Sequence, residues 1–226
     1  MNLQSVSDLA ERLQTEINPT AEKLLAAASD LMIERNSLEI SLSEIAQRSG
    51  VNSALVKYHF GNKEGLLLAL LARDARSEIA NLDYLLAQPI SPSAKLKLHI
   101  AGIIKAYRRF PYMNRLIHLL LHASSAQAAA EVSDFFVRPL FEFQRKLLEA
   151  GVAAGEFRAV DPVHFYTCLI GACDHLFFGR PAVSRAVGVG AITDSECRDY
   201  IAFITDLIFN GVVNGYSAAG PPRHLV

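Results

Sequence analysis

Residues 41–63 read SLSEIAQRSGVNSALVKYHFGNK, and the spacing of apolar and small residues in this stretch decides the fold. Ser41 stands at a helix N-cap with Glu44 three residues on, the capping-box arrangement in which each side chain satisfies the other residue's backbone N–H. The helix it opens runs through Ser49 and turns Leu42, Ile45 and Ala46 inward. Gly50 follows where a helix stop favours left-handed backbone. A second short helix begins after Asn52 and ends at Phe60-Gly61-Asn62. Small residues at Ala46 and Gly50 allow close approach, and two short helices joined by Ser49-Gly50-Val51 have the dimensions of a helix-turn-helix. On the second helix Val56 and Phe60 lie four apart and face the core. At about 100° per residue the opposite face carries Ala54, Lys57 and Tyr58, with Leu55 and Gly61 at its flanks. From Ile45 to Lys63 there are three positive charges (Arg48, Lys57, Lys63) and no acid.

The rest of the chain frames this segment. Of 226 residues 51% are apolar and 20% charged, which excludes an intrinsically disordered chain. With 22 basic against 23 acidic residues the net charge is −1, so attraction to nucleic acid must rest on local charge. Between residues 19 and 178 apolar positions recur at three and four residues with no period-2 run, which predicts an all-α fold. The expected helices run from Pro19 to near Asn36, from Lys63 to about Ala87, from Pro92 to Phe110 and from Tyr112 to Ala123. Beyond these, a longer helix is expected over 126–153, kinked at Pro139, then others over 162–178 and 194–216. Residues 182–193 read as a surface loop. The longest apolar stretch, 163–178, holds His164, Asp174 and His175 and is no membrane span. The N-terminus lacks the layout of a signal peptide. Cys168, Cys173 and Cys197 are odd in number and lack CxxC spacing, which argues against a disulfide framework and suits a reducing cytoplasm. The expected domains are 1–65, a three-helix unit, and 66–226, a larger helical unit.

The stretches TAEKLLAAA from Thr20, SLSEIAQRSGVN from Ser41 and YHFGNKEGLL from Tyr58 together resemble the DNA-binding domain of TetR-type (TetR/AcrR) helix-turn-helix transcriptional regulators. The resemblance covers about 50 residues and combines several anchored elements. It implies a homodimer whose paired recognition helices enter successive major grooves of a palindromic operator in double-stranded DNA. It also implies a C-terminal half that binds a small effector and dimerises through its last two helices, with no cofactor and no catalysis. By position, Ser43, Asn52, Ser53, Ala54, Leu55, Lys57, Tyr58, His59 and Lys63 face DNA, and Tyr58, His59 and Lys63 match the backbone-contacting places. His59 equally suits a packing or capping role. The chain departs from the common pattern at Leu55, where Thr or Ser is frequent, and at Lys57, where an aromatic is usual. The arm before Thr20 has only Arg12 as a basic residue.

In the larger half, the helices from residue 92 to 178 hold more apolar surface than one packed layer needs, with polar groups sparse among it. A mostly apolar cavity with a few orienting polar groups is the usual form of a small-molecule site. The expected polar groups are Tyr107, His118, His122 and His175, with Phe136 and Phe143 as walls. His118 and His122 lie four apart, which is metal-ligand spacing, but there is neither His-Glu-x-x-His nor Glu-x-x-His. Ile201, Ile204, Ile208, Gly211 and Val212 form a stripe suited to packing against a second chain. A ligand-responsive regulator, most readily a repressor, is the expected function. The alternative is a helical-bundle metalloenzyme or a small-molecule binding module.

Overall fold

Pro19 presets the backbone of a first helical turn and Asn18 Oδ1 accepts the Thr20 N–H at 2.8 Å, so α1 (Pro19–Arg35) starts where the sequence places it. It stops at Asn36, whose left-handed backbone (φ 48°) returns its N–H to the last carbonyls. The structure, a computed structural model, describes residues 18–212. The capping box of α2 (Leu42–Ser49) is formed: Glu44 N–H reaches Ser41 Oγ at 3.2 Å and Ser41 N–H reaches Glu44 Oε2 at 2.8 Å. Gly50 closes α2 at φ 68°, and Asn52 caps α3 (Ser53–Phe60) by accepting the Ala54 N–H at 2.9 Å. Leu24, Leu25, Ala28, Met32, Ile45 and Val56 fill the space between these three helices.

Helix α4 (Lys63–Ala87) belongs to both halves. Its start buries Leu66, Leu67, Leu70 and Leu71 in the head, while Leu82 joins the core beyond. The division expected after residue 65 falls inside its first turn. The larger half then stacks α5 (Pro92–Arg109), α6 (Met113–His122), α7 (Ala126–Val132), α8 (Arg138–Ala153), α9 (Pro162–Phe178), α10 (Arg180–Val187) and α11 (Asp194–Val212). No strand occurs among the described residues. The all-α class, with a helix-turn-helix head and a larger helical body, is as expected.

Three expectations need correction. The segment 126–153 is continuous helix, as expected, but it is not α-helical throughout. Ser133–Val137 forms a π-helical turn between α7 and α8, in which Arg138 N–H bonds Ser133 O. Pro139 cannot donate to the turn before it, and a wider turn just upstream removes that demand. Second, the loop expected at 182–193 begins as α10. Pro181 sits in its first turn, where a missing N–H costs nothing, and Gly188 closes it at φ 73°. Arg180 fastens the segment after it, donating to Glu196 at 2.5 and 2.9 Å and to Gly190 O at 2.9 Å. Third, Ile204, Ile208 and Val212 are buried in their own chain's core, so the stripe assigned to a partner packs inward. The exposed large apolar residues of α11 are Phe203 and Leu207. The frayed tail and the arm bearing Arg12 lie outside the described residues, as do positions 213–216 of the last expected helix.

Candidate nucleic-acid interface and ligand cavity

Val56 is buried at the base of α3 and Phe60 is half-buried, which turns the opposite face outward. Asn52, Ser53, Ala54, Leu55, Lys57 and Tyr58 are all exposed there, and Tyr58 projects furthest, at 79% exposure. Ser43, on α2, and Lys63, at the start of α4, are exposed as well. His59 is half-buried, its ring edge-on to Tyr58 at 5.1 Å and tilted against Phe60 at 6.1 Å. Asn52 spends its side-chain oxygen on the helix cap.

Arg48 stands apart from the basic set read in the sequence. Its guanidinium is held by Glu34 of α1 through both terminal nitrogens. The pairing partner lies 14 residues away in sequence, outside the acid-free window, so the window overstates the free charge. Lys57 and Lys63 supply the positive charge of this face. A second pair, Arg35 to Glu44 at 2.6 Å, ties α1 to the capping box. Glu44 thereby falls to a pKa of about 2, chiefly through the Ser41 hydroxyl, then the Ser41 backbone N–H and Arg35.

Gly61 and Gly65 set how α3 meets α4. Gly61 adopts φ 74°, a region that side chains with a Cβ rarely enter. At Gly65 a Cβ would lie 2.1 Å from the Phe60 carbonyl oxygen, so no other residue lets α4 start this close to the end of α3. Asn62 Oδ1 caps that start by accepting the Gly65 N–H at 2.8 Å.

The larger half contains a cavity of about 380 Å³ between α4, α5, α8 and α9. Its walls include Leu82, Leu85, Ile103, Tyr107, Met113, Phe136, Leu140 and Ile170. Of the residues expected at an effector site, Tyr107 and Phe136 line this space, whose wall also includes α4, a helix outside the expected set. Phe143 does not line the space, and its ring lies tilted against that of His99 at 4.6 Å. His118, His122 and His175 do not line it either. All three are exposed, and His118 and His122 stack on each other at 5.8 Å on the outer face of α6. Spacing alone could not tell which side of α6 faced in.

The histidine on the cavity wall is His99, 4% exposed and bonded through Nε2 to Gln144 Nε2 at 3.0 Å. Burial pushes its pKa down to about 3, so the ring is neutral. The signal was present in the sequence, because Leu96, His99, Ile100, Ile103 and Tyr107 recur on one helical face. Tyr107 keeps its phenol proton through burial first and the nearby Asp174 second. Among the described residues no group of three or more His, Cys, Asp or Glu side chains is placed to hold a metal. No described helix is long and apolar enough to cross a membrane.

Comparison with known proteins bears on the family and the fold. The family description "Bacterial regulatory proteins, tetR family" matches residues 24–70, and "Tetracyclin repressor-like, C-terminal domain" matches residues 89–218. The HTH-type transcriptional repressor NicS of Pseudomonas putida is 25% identical over 199 residues, covering 85% of this chain and 92% of its own. A TetR/AcrR-family regulator from Thermobifida fusca superposes with a TM-score of 0.66 at 23% identity, over 88% of this chain and 100% of that one. FadR of Bacillus subtilis, solved in complex with stearoyl-CoA, gives a TM-score of 0.67 at 16% identity, over 84% and 98% of the two chains. At these identities the two structures speak to the fold alone. The match of a family description to more than half of the chain, on the fold and head geometry described above, places this chain in the TetR family of DNA-binding transcriptional regulators.

Proposed function

We propose that the protein is a repressor that binds a palindromic operator as a homodimer and leaves it when a small, largely apolar effector enters the cavity. The observation that carries the DNA assignment is the exposed, acid-free face of α3, with Lys57 and Tyr58 at its centre and Lys63 beside it. A recognition helix reads base edges with a few side chains while flanking cations hold phosphates. Lys57 is central and long enough for a guanine edge, Leu55 on the flank suits a thymine methyl, and Lys63 suits a phosphate. Ser43, Asn52, Ser53, Ala54, Tyr58 and His59 complete the proposed interface, with His59 acting by holding Tyr58. NicS is described as a repressor, which supports that direction of control here.

The apolar residues left outside support the dimer reading. Phe203 and Leu207 on α11, with Phe178 at the end of α9, are exposed and flank the surface where Tyr200 Oη donates to Ala172 O at 2.6 Å. A two-fold interface built there sets the spacing of the two recognition helices. A ligand acts only by favouring one such spacing over another. Tyr107 and Phe136 serve the cavity directly and Phe143 through His99.

Selection of bound sequences from a random DNA pool tests the reading. The enriched site should be an inverted repeat bound in a salt-sensitive manner. Lys57→Ala should relax preference at one position per half-site, and Lys63→Ala, which removes one phosphate contact per protomer, should weaken all sequences and lower the salt slope by about 2. Recovery of no consensus, or affinities untouched by both changes, overturns the assignment.

A further inference from the structure

We propose that the cavity takes an uncharged, mainly apolar molecule carrying one hydrogen-bond acceptor, and that His99 Nδ1 is the donor that fixes it. The inference rests on reading the cavity as the effector site and adds the chemistry of its occupant. Charge is the first argument. Glu78 is the one charged residue on the lining, beside Asn81 and the exposed Tyr84, and no Lys or Arg lines the space. A carboxylate or phosphate entering here meets Glu78 and no Lys or Arg on the lining, and a buried anion without a partner is expelled to water. The size, about 380 Å³, lies at the small end of the usual range of roughly 300–1,000 Å³ for such sites.

Polarity is the second argument. The amide nitrogen of Gln144 faces His99 Nε2, so Nε2 accepts and the ring proton sits on Nδ1. Nδ1 makes no hydrogen bond with a described residue. Phe143 fixes the ring's orientation. Gln144 Oε1 is itself buried without a partner among the described residues. Such a pair, set in an apolar wall with polar atoms unmet, lowers stability compared with a leucine pair. A ligand oxygen on Nδ1 meets the donor of this pair, while Gln144 Oε1, an acceptor, is not met by it. Burial keeps the ring neutral, so it offers a hydrogen bond and no countercharge.

Matched nine-carbon probes test the inference by titration calorimetry on the full chain: 2-nonanone as a neutral acceptor and nonanoate as its anion. The ketone should bind one per chain, with nonanoate at least about tenfold weaker. On saturation the ketone should move the nitrogen-15 resonance of His99 Nδ1. His99→Phe should weaken the ketone by about three- to tenfold. Gly102→Leu should abolish its binding without unfolding the chain, because a Cβ at this lining position meets nothing within 4 Å. No binding of the ketone overturns the inference, as does equal or tighter binding of nonanoate. So does ketone binding that Gly102→Leu leaves intact, or that never reaches the Nδ1 resonance. The last two readouts hold even if His99→Phe fails to fold. Operator binding is measured on the same samples without probe. Its loss would sink the DNA reading alone, whereas failure of the probes leaves that reading standing.

Discussion

The Glu64 carboxylate, in the first turn of α4, takes both the backbone N–H and the hydroxyl of Ser125 at 2.7 Å each. Glu64 is the neighbour of Lys63, and Ser125 caps α7 by accepting the Ala128 N–H at 3.1 Å. From α7 the chain passes through the π-helical turn that carries Phe136 to the cavity. A short covalent and hydrogen-bonded route thus joins the cavity wall to the residue proposed to hold DNA phosphate. Ser125→Ala should lower stability by about 0.5–2 kcal/mol, the usual cost of losing a cap, as read by urea unfolding. Glu64→Gln keeps the shape and loses the charge. It should leave unliganded operator binding near normal while reducing its response to effector in a mobility-shift titration.

Gly65 and Gly102 should respond oppositely to the same substitution. At Gly65 a Cβ collides with backbone, which cannot move aside as a flexible side chain would. Gly65→Ala should therefore destabilise the head by about 1–3 kcal/mol and weaken operator binding. Gly102→Ala places a methyl in open space within α5 and should stabilise the chain by about 0.5–1 kcal/mol. Thermal unfolding of the two variants beside wild type checks both signs.

Tyr112 is fully buried where the head meets the body. Its hydroxyl donates to the Asp74 carboxylate and shares a 2.8 Å hydrogen bond with Ser29 Oγ of α1. Arg73 holds the other Asp74 oxygen at 2.7 Å and reaches Glu22 at 3.1 Å. Burial raises the Asp74 pKa, and Arg73 works against that rise. Tyr112→Phe strips one donor from a buried carboxylate and should cost about 1–3 kcal/mol in denaturant unfolding. Hydrogen exchange in α1 should accelerate in the same variant, because its link to α4 through Ser29 is cut.

His99 gives the stability a defined pH dependence. Its folded pKa is depressed to about 3 by burial, below the ordinary value of 6.5. Below pH 6.5 the unfolded chain takes up a proton that the native ring refuses, so stability falls as pH drops from 6.5 towards 3. The contribution of this one group has a limiting slope of about 1.4 kcal/mol per pH unit. His99→Gln should flatten the profile over that window in urea titrations at stepped pH.

The proposed dimer turns on Phe203 and Leu207, which are 60% and 56% exposed. Glu at either position should give a folded monomer by sedimentation, with normal helical content and weakened operator binding. Ile204→Glu should instead unfold the chain, because Ile204 is 2% exposed inside its own core. A wild-type monomer at micromolar concentration would contradict the interface.

Elements whose signals are local are legible in the amino-acid order. Ser41 with Glu44, Gly50, Asn52 and the Pro19, Pro92 and Pro162 starts act within one helical turn, so the caps and boundaries of the head could be read from spacing. The outward face of α3 was equally legible, because Val56 and Phe60 fix its rotation and the rest follows from 100° steps. Tertiary structure alone decided which side of a helix faces which neighbour. His118 and His122 on α6 and Ile204 and Ile208 on α11 carry the same periodicity whether a face meets its own core, a cavity or a second chain. Spacing is silent on that choice. Long-range pairs were likewise invisible: Arg48 with Glu34, Glu64 with Ser125 and Tyr112 with Asp74 join residues from separate elements. Local propensity sets where a helix begins and ends, but the rotation of a helix about its axis is settled by the summed burial of many distant side chains.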